Sequence, residues 1–230
     1  MKKNNFLKKP LSAIVFDCDG TLSQIEGIDY LAKLNNVEKE VSELTHLAMA
    51  QTGLSSSLYQ QRLDLVKPTK NQVISLGEIY YQHISPDAEN IIKLFQKLDK
   101  KIYIFSAGVN PAVTLLGEKL NIAASNIFAV DLQFDQNNHY LNFNHTSPLI
   151  NKNGKQELIN LINQKSIGYI GDGMNDLAVI NHVERFVGYG GAFYRENIKK
   201  QCDFYLTEKS FLPLLQLFLT EDEQRLINVE

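Results

Sequence analysis

Tryptophan is absent from this chain, and cysteine occurs only twice, at Cys18 and Cys202. So few thiols exclude a disulfide-stapled fold, and they fit a reducing cytoplasm. The five histidines supply no H-x-x-x-H pair and no Cys/His pair at metal-ligand spacing. Apolar runs long enough to span a membrane are also missing. The opening stretch, "MKKNNFLKKPLSAIVFD", places basic residues ahead of apolar ones. Its apolar run from Leu11 to Phe16 is broken by Ser12 and stopped by Asp17, too short for a secretory signal, and no small-residue cleavage site follows. A cytoplasmic protein is expected. There is no excess of one charge either: the formal net charge is -3, which points to neither nucleic acid nor an acidic membrane. An anionic substrate would need local partners, such as a metal, a lysine or an arginine.

What is present suits a globular enzyme. The 230 residues are 44% hydrophobic and 21% charged, enough for one large core or a core with a smaller insertion. Three short apolar runs ending in small or acidic residues read as buried parallel strands: "AIVFD" (13–17), "IYIFS" (102–106) and "IGYIGD" (167–172). Helical patterns separate them. "ENIIKLFQKL" (89–98) carries Ile91, Ile92, Leu94, Phe95 and Leu98 on one face, and "KQELINLINQ" (155–164) repeats this with Leu158, Ile159, Leu161 and Ile162. Asn110 and Pro111 read as an N-cap and first helical residue. Alternating strands and helices define an α/β domain with a parallel sheet.

The interval from about Ile25 to Ser85 shows no strand pattern. "GIDYLAKL", "EKEVSELTHLAMA" and "SSLYQQRLDLV" read as helices, the last stopped at Lys67-Pro68-Thr69. This is too long for a loop and reads as a helical insertion. "IFAVDLQFDQNNHYLNFN" (127–144) reads as a β-hairpin turning at "DQNNH".

In open α/β sheets, chemistry collects at the carboxyl ends of the strands. Asp17 and Asp19 fall there, then Ser106, then Asp172 with Asp176; Lys155, starting a helix, can reach the same rim. These aspartates, a hydroxyl and a lysine form a kit for phosphoryl transfer. A hard divalent cation would shield the carboxylates from one another, a carboxylate can attack phosphorus, and Ser106 and Lys155 can hold the phosphoryl oxygens. Taken singly, each residue has an ordinary reading: a turn, a helix entry, a surface lysine. Order and placement favour one pocket. A dinucleotide loop starting at Gly171 is disfavoured, because its third glycine position holds Asp176 and Asp172 would face the pyrophosphate. No G-x-x-x-x-G-K-[ST] occurs. A catalytically silent ligand-binding protein stays open.

Four segments in order, "DCDGT", "FSAG", Lys155 and "GDGMND", resemble the motifs of the haloacid dehalogenase (HAD) phosphatase superfamily, over about Ala13 to Gly191. "EGIDYLAKL", "VSELTHLAM", "RLDLVKPT" and "GYGGAFYRENIKKQCDFYLT" are similar to the branch that acts on O-phospho-L-serine. The resemblance implies a HAD-like Rossmannoid core (11–24 and 86–230), a helical cap (25–85) and Mg²⁺. It implies Asp17 as nucleophile and Asp19 as acid and base. Asp17, Asp172 and the Asp19 carbonyl would be metal ligands, with Thr21 supporting them and Asp176 orienting Lys155. Ser106, Ala107, Gly108, Lys155 and Asn175 would line the phosphate site. Glu26 would meet the substrate ammonium, Arg62 its carboxylate, the latter by a guanidinium fork, and Met49 an apolar wall. Ala107 stands where the family commonly has glycine, and Ser55 where it often has phenylalanine. Cys18, between the two aspartates, reads as a packed side chain. The partner expected is a small molecule, with neither nucleic acid nor membrane, and a homodimer left open. A phosphatase for another phosphorylated amine or acid is the alternative.

Overall fold

The three apolar runs become adjacent parallel strands in the computed structural model, which describes residues 6–48 and 53–227. β1 (Ala13–Phe16) lies between β2 (Lys101–Asn110) and the strand Ile167–Gly171. Phe16 is in register with Ile104 on one side and Ile170 on the other. β3 (Ile127–Phe134) and the antiparallel β4 (Tyr140–Phe143) extend the sheet beyond β2. On the far side of β5 (Ile167–Gly171) come β6 (Arg185–Tyr189) and β7 (Tyr205–Leu206). The order of the seven strands is β4-β3-β2-β1-β5-β6-β7.

Side chains alternate across the pleat, so each central strand feeds two cores. Ile14, Phe16, Ile104 and Ile170 face one side, under Ile91, Ile92 and Phe95 of α5 (Ala88–Lys97) and Val113 and Leu116 of α6 (Ala112–Lys119). Val15, Phe105 and Tyr169 face the other, with Leu158 and Ile159 of α7 (Gly154–Leu161). The result is a helix–sheet–helix sandwich, the mixed α/β class expected.

Among the described residues, regular structure between β1 and α5 is helical: α1 (Gly27–Leu34), α2 (Glu38–His46), α3 (Ser56–Val66) and α4 (Lys70–Gln82). Ser55 caps α3 by accepting the Leu58 N–H at 3.2 Å. Lys67, left-handed at φ 42°, closes that helix before Pro68. A capping box of Thr69 and Gln72 opens α4, a start signal that hydrophobic periodicity alone does not register. The hairpin turn also forms at "DQNNH": Asp135 Oδ1 accepts the N–H groups of Asn137 and His139, both at 2.8 Å.

Three local expectations need correction. β2 does not stop at Ser106 but runs to Asn110, because pairing with β3 resumes at Val109 after a register break. Asn110 is consequently strand, not N-cap. Its Nδ2 donates to Asp131 Oδ1 at 2.9 Å, and Pro111 takes the N-cap position of α6. α7 ends at Leu161, which is 75% exposed, since the chain must unwind at Ile162 to enter β5.

Candidate active site

Asp17 follows the last residue of β1, and its N–H still donates to Ile170 O of β5 at 3.0 Å. This pins its carboxylate at the carboxyl edge of the sheet. Lys155, in the first turn of α7 and buried, donates from Nζ to Asp17 Oδ1 and to Asp176 Oδ1, each at 2.6 Å. Tyr169 Oη donates to that same Asp176 oxygen at 2.6 Å, while the Gly173 N–H reaches Asp176 Oδ2 at 2.9 Å. Asp176 is thereby a fully engaged anchor for the lysine. Burial pushes Asp17 up to about 7, aided by the Asp176 charge and opposed by Lys155. Burial pulls Lys155 down, yet Asp17 and Asp176 outweigh it and hold the ammonium above its ordinary range.

Three residues after Asp17, Gly20 turns the chain with φ +68°, and a Cβ there would collide with the Asp172 carboxylate. That turn aims Asp19 across the pocket. Its Oδ2 accepts from Ser106 Oγ at 3.2 Å, and the Gly108 N–H donates to Ser106 Oγ at 2.8 Å. The Ser106-Ala107-Gly108 segment lies within the register break of β2. Tyr59 Oη of α3 donates to the Ala107 carbonyl at 3.0 Å, tying the helical segment to this loop.

The far wall comes from the helical segment. Glu26 and Arg62 are buried and line the same cavity as Asp17, Asp19, Lys155 and Asn175. Arg62 Nη1 donates to Thr45 Oγ1 at 3.5 Å, while its Nε is buried without a partner. A cation with spare donors facing a cavity suits an anionic group. Asn175 Oδ1 accepts the Leu54 N–H at 2.8 Å. Cys18 is buried, and burial drives its thiol well above the usual range, as befits a packed side chain.

The structure thus brings Asp17, Asp19, Glu26, Arg62, Ala107, Gly108, Lys155, Asn175 and Asp176 around one cavity. Ser106 and Asp172 do not line it but stand behind it, Ser106 bonded to Asp19 and Asp172 beside Asp17 and Asp176, with Thr21 Oγ1 3.5 Å from Asp172 Oδ1. Met49 lies outside the described residues. Three residues at the site escape sequence reasoning. Tyr59 and Tyr80 line the cavity, and Arg195 forms ion pairs with Asp172 and with Glu26. Tyr59 precedes Arg62 by three positions on α3 and so shares its face; Arg195 has no comparable signal nearby.

Asp17, Asp172 and Asp176 each place a carboxylate oxygen within 4.8 Å of the others, all buried. Such a cluster of hard oxygens suits a divalent cation. Asp176 is already saturated by Lys155, Tyr169 and Gly173, which leaves Asp17 and Asp172 as the carboxylates for a cation, and on Asp172 it would take the place of the Arg195 guanidinium.

A mostly parallel α/β sheet with this aspartate and lysine cluster at its carboxyl edge suits a hydrolase of phosphoryl-transfer type. The chain belongs to the haloacid dehalogenase-like hydrolase family, whose model matches residues 11–183. More particularly, it is similar to the phosphoserine phosphatase of Bos taurus, at 34% identity over 207 residues, covering 88% of this chain and 91% of the relative. Among solved structures, a phosphoserine phosphohydrolase-like protein from Francisella tularensis superposes with a TM-score of 0.78 at 21% identity, covering 86% of this chain and 96% of that one. A phospho-aspartyl intermediate analogue of phosphoserine phosphatase gives 0.77 at 22% identity, covering 92% and 100%.

Proposed function

We propose that this protein is a Mg²⁺-dependent phosphomonoesterase that hydrolyses O-phospho-L-serine through an aspartyl-phosphate. The observation that carries this reading is the Lys155 bridge between Asp17 and Asp176, 2.6 Å to each, opposite an Asp19 held by Ser106. One carboxylate is presented to the pocket as a nucleophile, and a second stands across from it with no lysine of its own.

The Asp17 oxygen not engaged by Lys155 attacks phosphorus and forms the acyl-phosphate bond. The bond from phosphorus to the serine oxygen breaks, and Asp19 gives that oxygen its proton. Asp19, now a carboxylate, takes a proton from water; the water oxygen attacks phosphorus, and Asp17 departs as carboxylate with release of inorganic phosphate. Ser106, the Gly108 N–H, Asn175 and Lys155 hold the phosphoryl oxygens. Asp17, Asp172 and the Asp19 carbonyl would hold Mg²⁺, which supplies neutralising charge for phosphate and carboxylates. Glu26 receives the substrate ammonium and Arg62 its carboxylate.

Residues 25–85 act as the cap and residues 11–24 with 86–230 as the core. The two cysteines are free, which agrees with a cytoplasmic enzyme, and among the described residues no helix is long and apolar enough to cross a membrane. With free serine as its product, the reaction would stand at the end of a serine-forming route. Phosphate release from phosphoserine, phosphoethanolamine and p-nitrophenyl phosphate, each with Mg²⁺ and with EDTA, tests the reading. Preference for phosphoserine with Mg²⁺ supports it; equal rates on all three would reduce it to a general small-molecule phosphatase.

A further inference from the structure

Tyr80 sits in the last turn of α4, fully buried, in the same apolar core as Leu31 and Leu76. Its hydroxyl leaves that core and donates to Asp19 Oδ1 at 2.6 Å. The Gly27 N–H donates to the same oxygen at 2.6 Å. A Cβ on Gly27 would collide with the Tyr80 hydroxyl, so the bare glycine is what lets both donors converge. Asp19 Oδ2 is left facing Ser106 Oγ at 3.2 Å, inside the phosphoryl pocket.

We infer that Tyr80 is a positioning residue for the reaction: its hydroxyl, with the Gly27 N–H, clamps one Asp19 oxygen so that the other is turned to the departing oxygen of the substrate. This rests on the phosphatase reading above, and deepens it. A carboxylate side chain rotates about two bonds, and a proton donor must lie within hydrogen-bond reach of the atom it protonates. Two donors on Oδ1 fix both rotations. The ring of Tyr80 is in turn held by packing, so the clamp stands on a rigid base rather than a mobile loop. A buried tyrosine that merely satisfies its hydroxyl on the nearest acceptor would show the same contact and none of the kinetic consequences below.

The test is Tyr80→Phe, which keeps the ring and removes the donor, read by single-turnover formation of the aspartyl-phosphate. An alkoxide leaving group needs a proton, whereas a p-nitrophenolate hardly does. The rate with phosphoserine should fall about 10- to 100-fold, with KM changed less than about threefold, and the loss with p-nitrophenyl phosphate should be at least about tenfold smaller. In an Asp19→Asn background, Tyr80→Phe should add no further loss, because the two residues act as one unit. Equal losses on both esters, no loss on phosphoserine, or an undiminished loss in the Asp19→Asn background would each overturn the inference. If the phenylalanine variant melts early, Tyr80→Met fills the space without a donor and carries the same comparison. Failure of the substrate reading appears separately, as a wild-type protein that hydrolyses another alkyl phosphate but not phosphoserine; the alkyl-against-aryl contrast on that ester then decides the role of Tyr80.

Discussion

Arg195 Nη2 donates to Glu26 Oε1 across 3.2 Å, although 169 positions separate the two residues. The same guanidinium also reaches Asp172, so one cation joins the loop after β6, the loop after β5 and the entry to α1. Glu26 needs it. Burial, reinforced by the Asp19 charge, pushes Glu26 up to about 8 even with Arg195 pulling the other way.

That shift has a sign for stability. A carboxyl whose folded pKa lies above its ordinary value of 4.5 stabilises the fold below that value, and the contribution is lost as pH rises toward about 8. Unfolding free energies of metal-free wild type and Glu26→Gln, measured at pH 5, 7 and 9, should therefore diverge. The wild type should lose ground steadily, by up to a few kcal/mol, while the amide carries no charge to bury. Parallel curves would show that Arg195 compensates fully.

Asp17→Asn should abolish phosphate release, by roughly a thousandfold or more, since an amide is no nucleophile toward phosphorus. Lys155 keeps Asp176 at 2.6 Å as its partner, so circular dichroism and the melting transition should stay close to wild type. Near-normal turnover in a variant checked free of deamidation would falsify the aspartyl-phosphate.

Removing metal should silence the enzyme. Excess EDTA should stop phosphate release, and Mg²⁺ should restore it. Ca²⁺ should inhibit, because its larger and looser oxygen shell spoils the in-line geometry. Undiminished rates in EDTA would remove the metal from the reaction.

Arg62→Ala separates substrate identity from chemistry. Arg62 is 4% exposed and lines the cavity, so loss of its charged hydrogen bonds to a carboxylate should cost about 2–4 kcal/mol, or roughly 30- to 1000-fold in kcat/KM on phosphoserine. The loss on p-nitrophenyl phosphate, which lacks a carboxylate, should be at least about tenfold smaller. Equal losses on the two would assign Arg62 to the fold or to the phosphate site.

Much of this molecule follows from short stretches of chain. "VFDCDGTL" combines a buried strand and the two aspartates, and "GDGMND" the second pair, because strand periodicity and the turn after it are set by neighbours in sequence. Glu26 and Arg62 were expected at the site from the resemblance of the segments that surround them, and both line the cavity. The alternation of Ile14 and Phe16 against Val15 is likewise a local property, fixed by the pleat.

Other features were decided only when strands chose their neighbours. β6 lies beside β5, and this order brings the loop after β6, which carries Arg195, next to Asp172 and Glu26. Nothing in "GGAFYREN" marks a guanidinium bound for two carboxylates. The continuation of β2 past Ser106 depends on a partner strand, β3, that begins 21 residues after Ser106 in the chain at Ile127. Tyr80 has the pattern of a core residue on a helix, and it is one. Its hydroxyl meets Asp19, 61 positions away, only because Gly27 leaves the space between them. Periodicity and turn chemistry are written along the chain, whereas ion pairs and clamps between distant segments depend on packing in three dimensions, where each contact is settled by all the others.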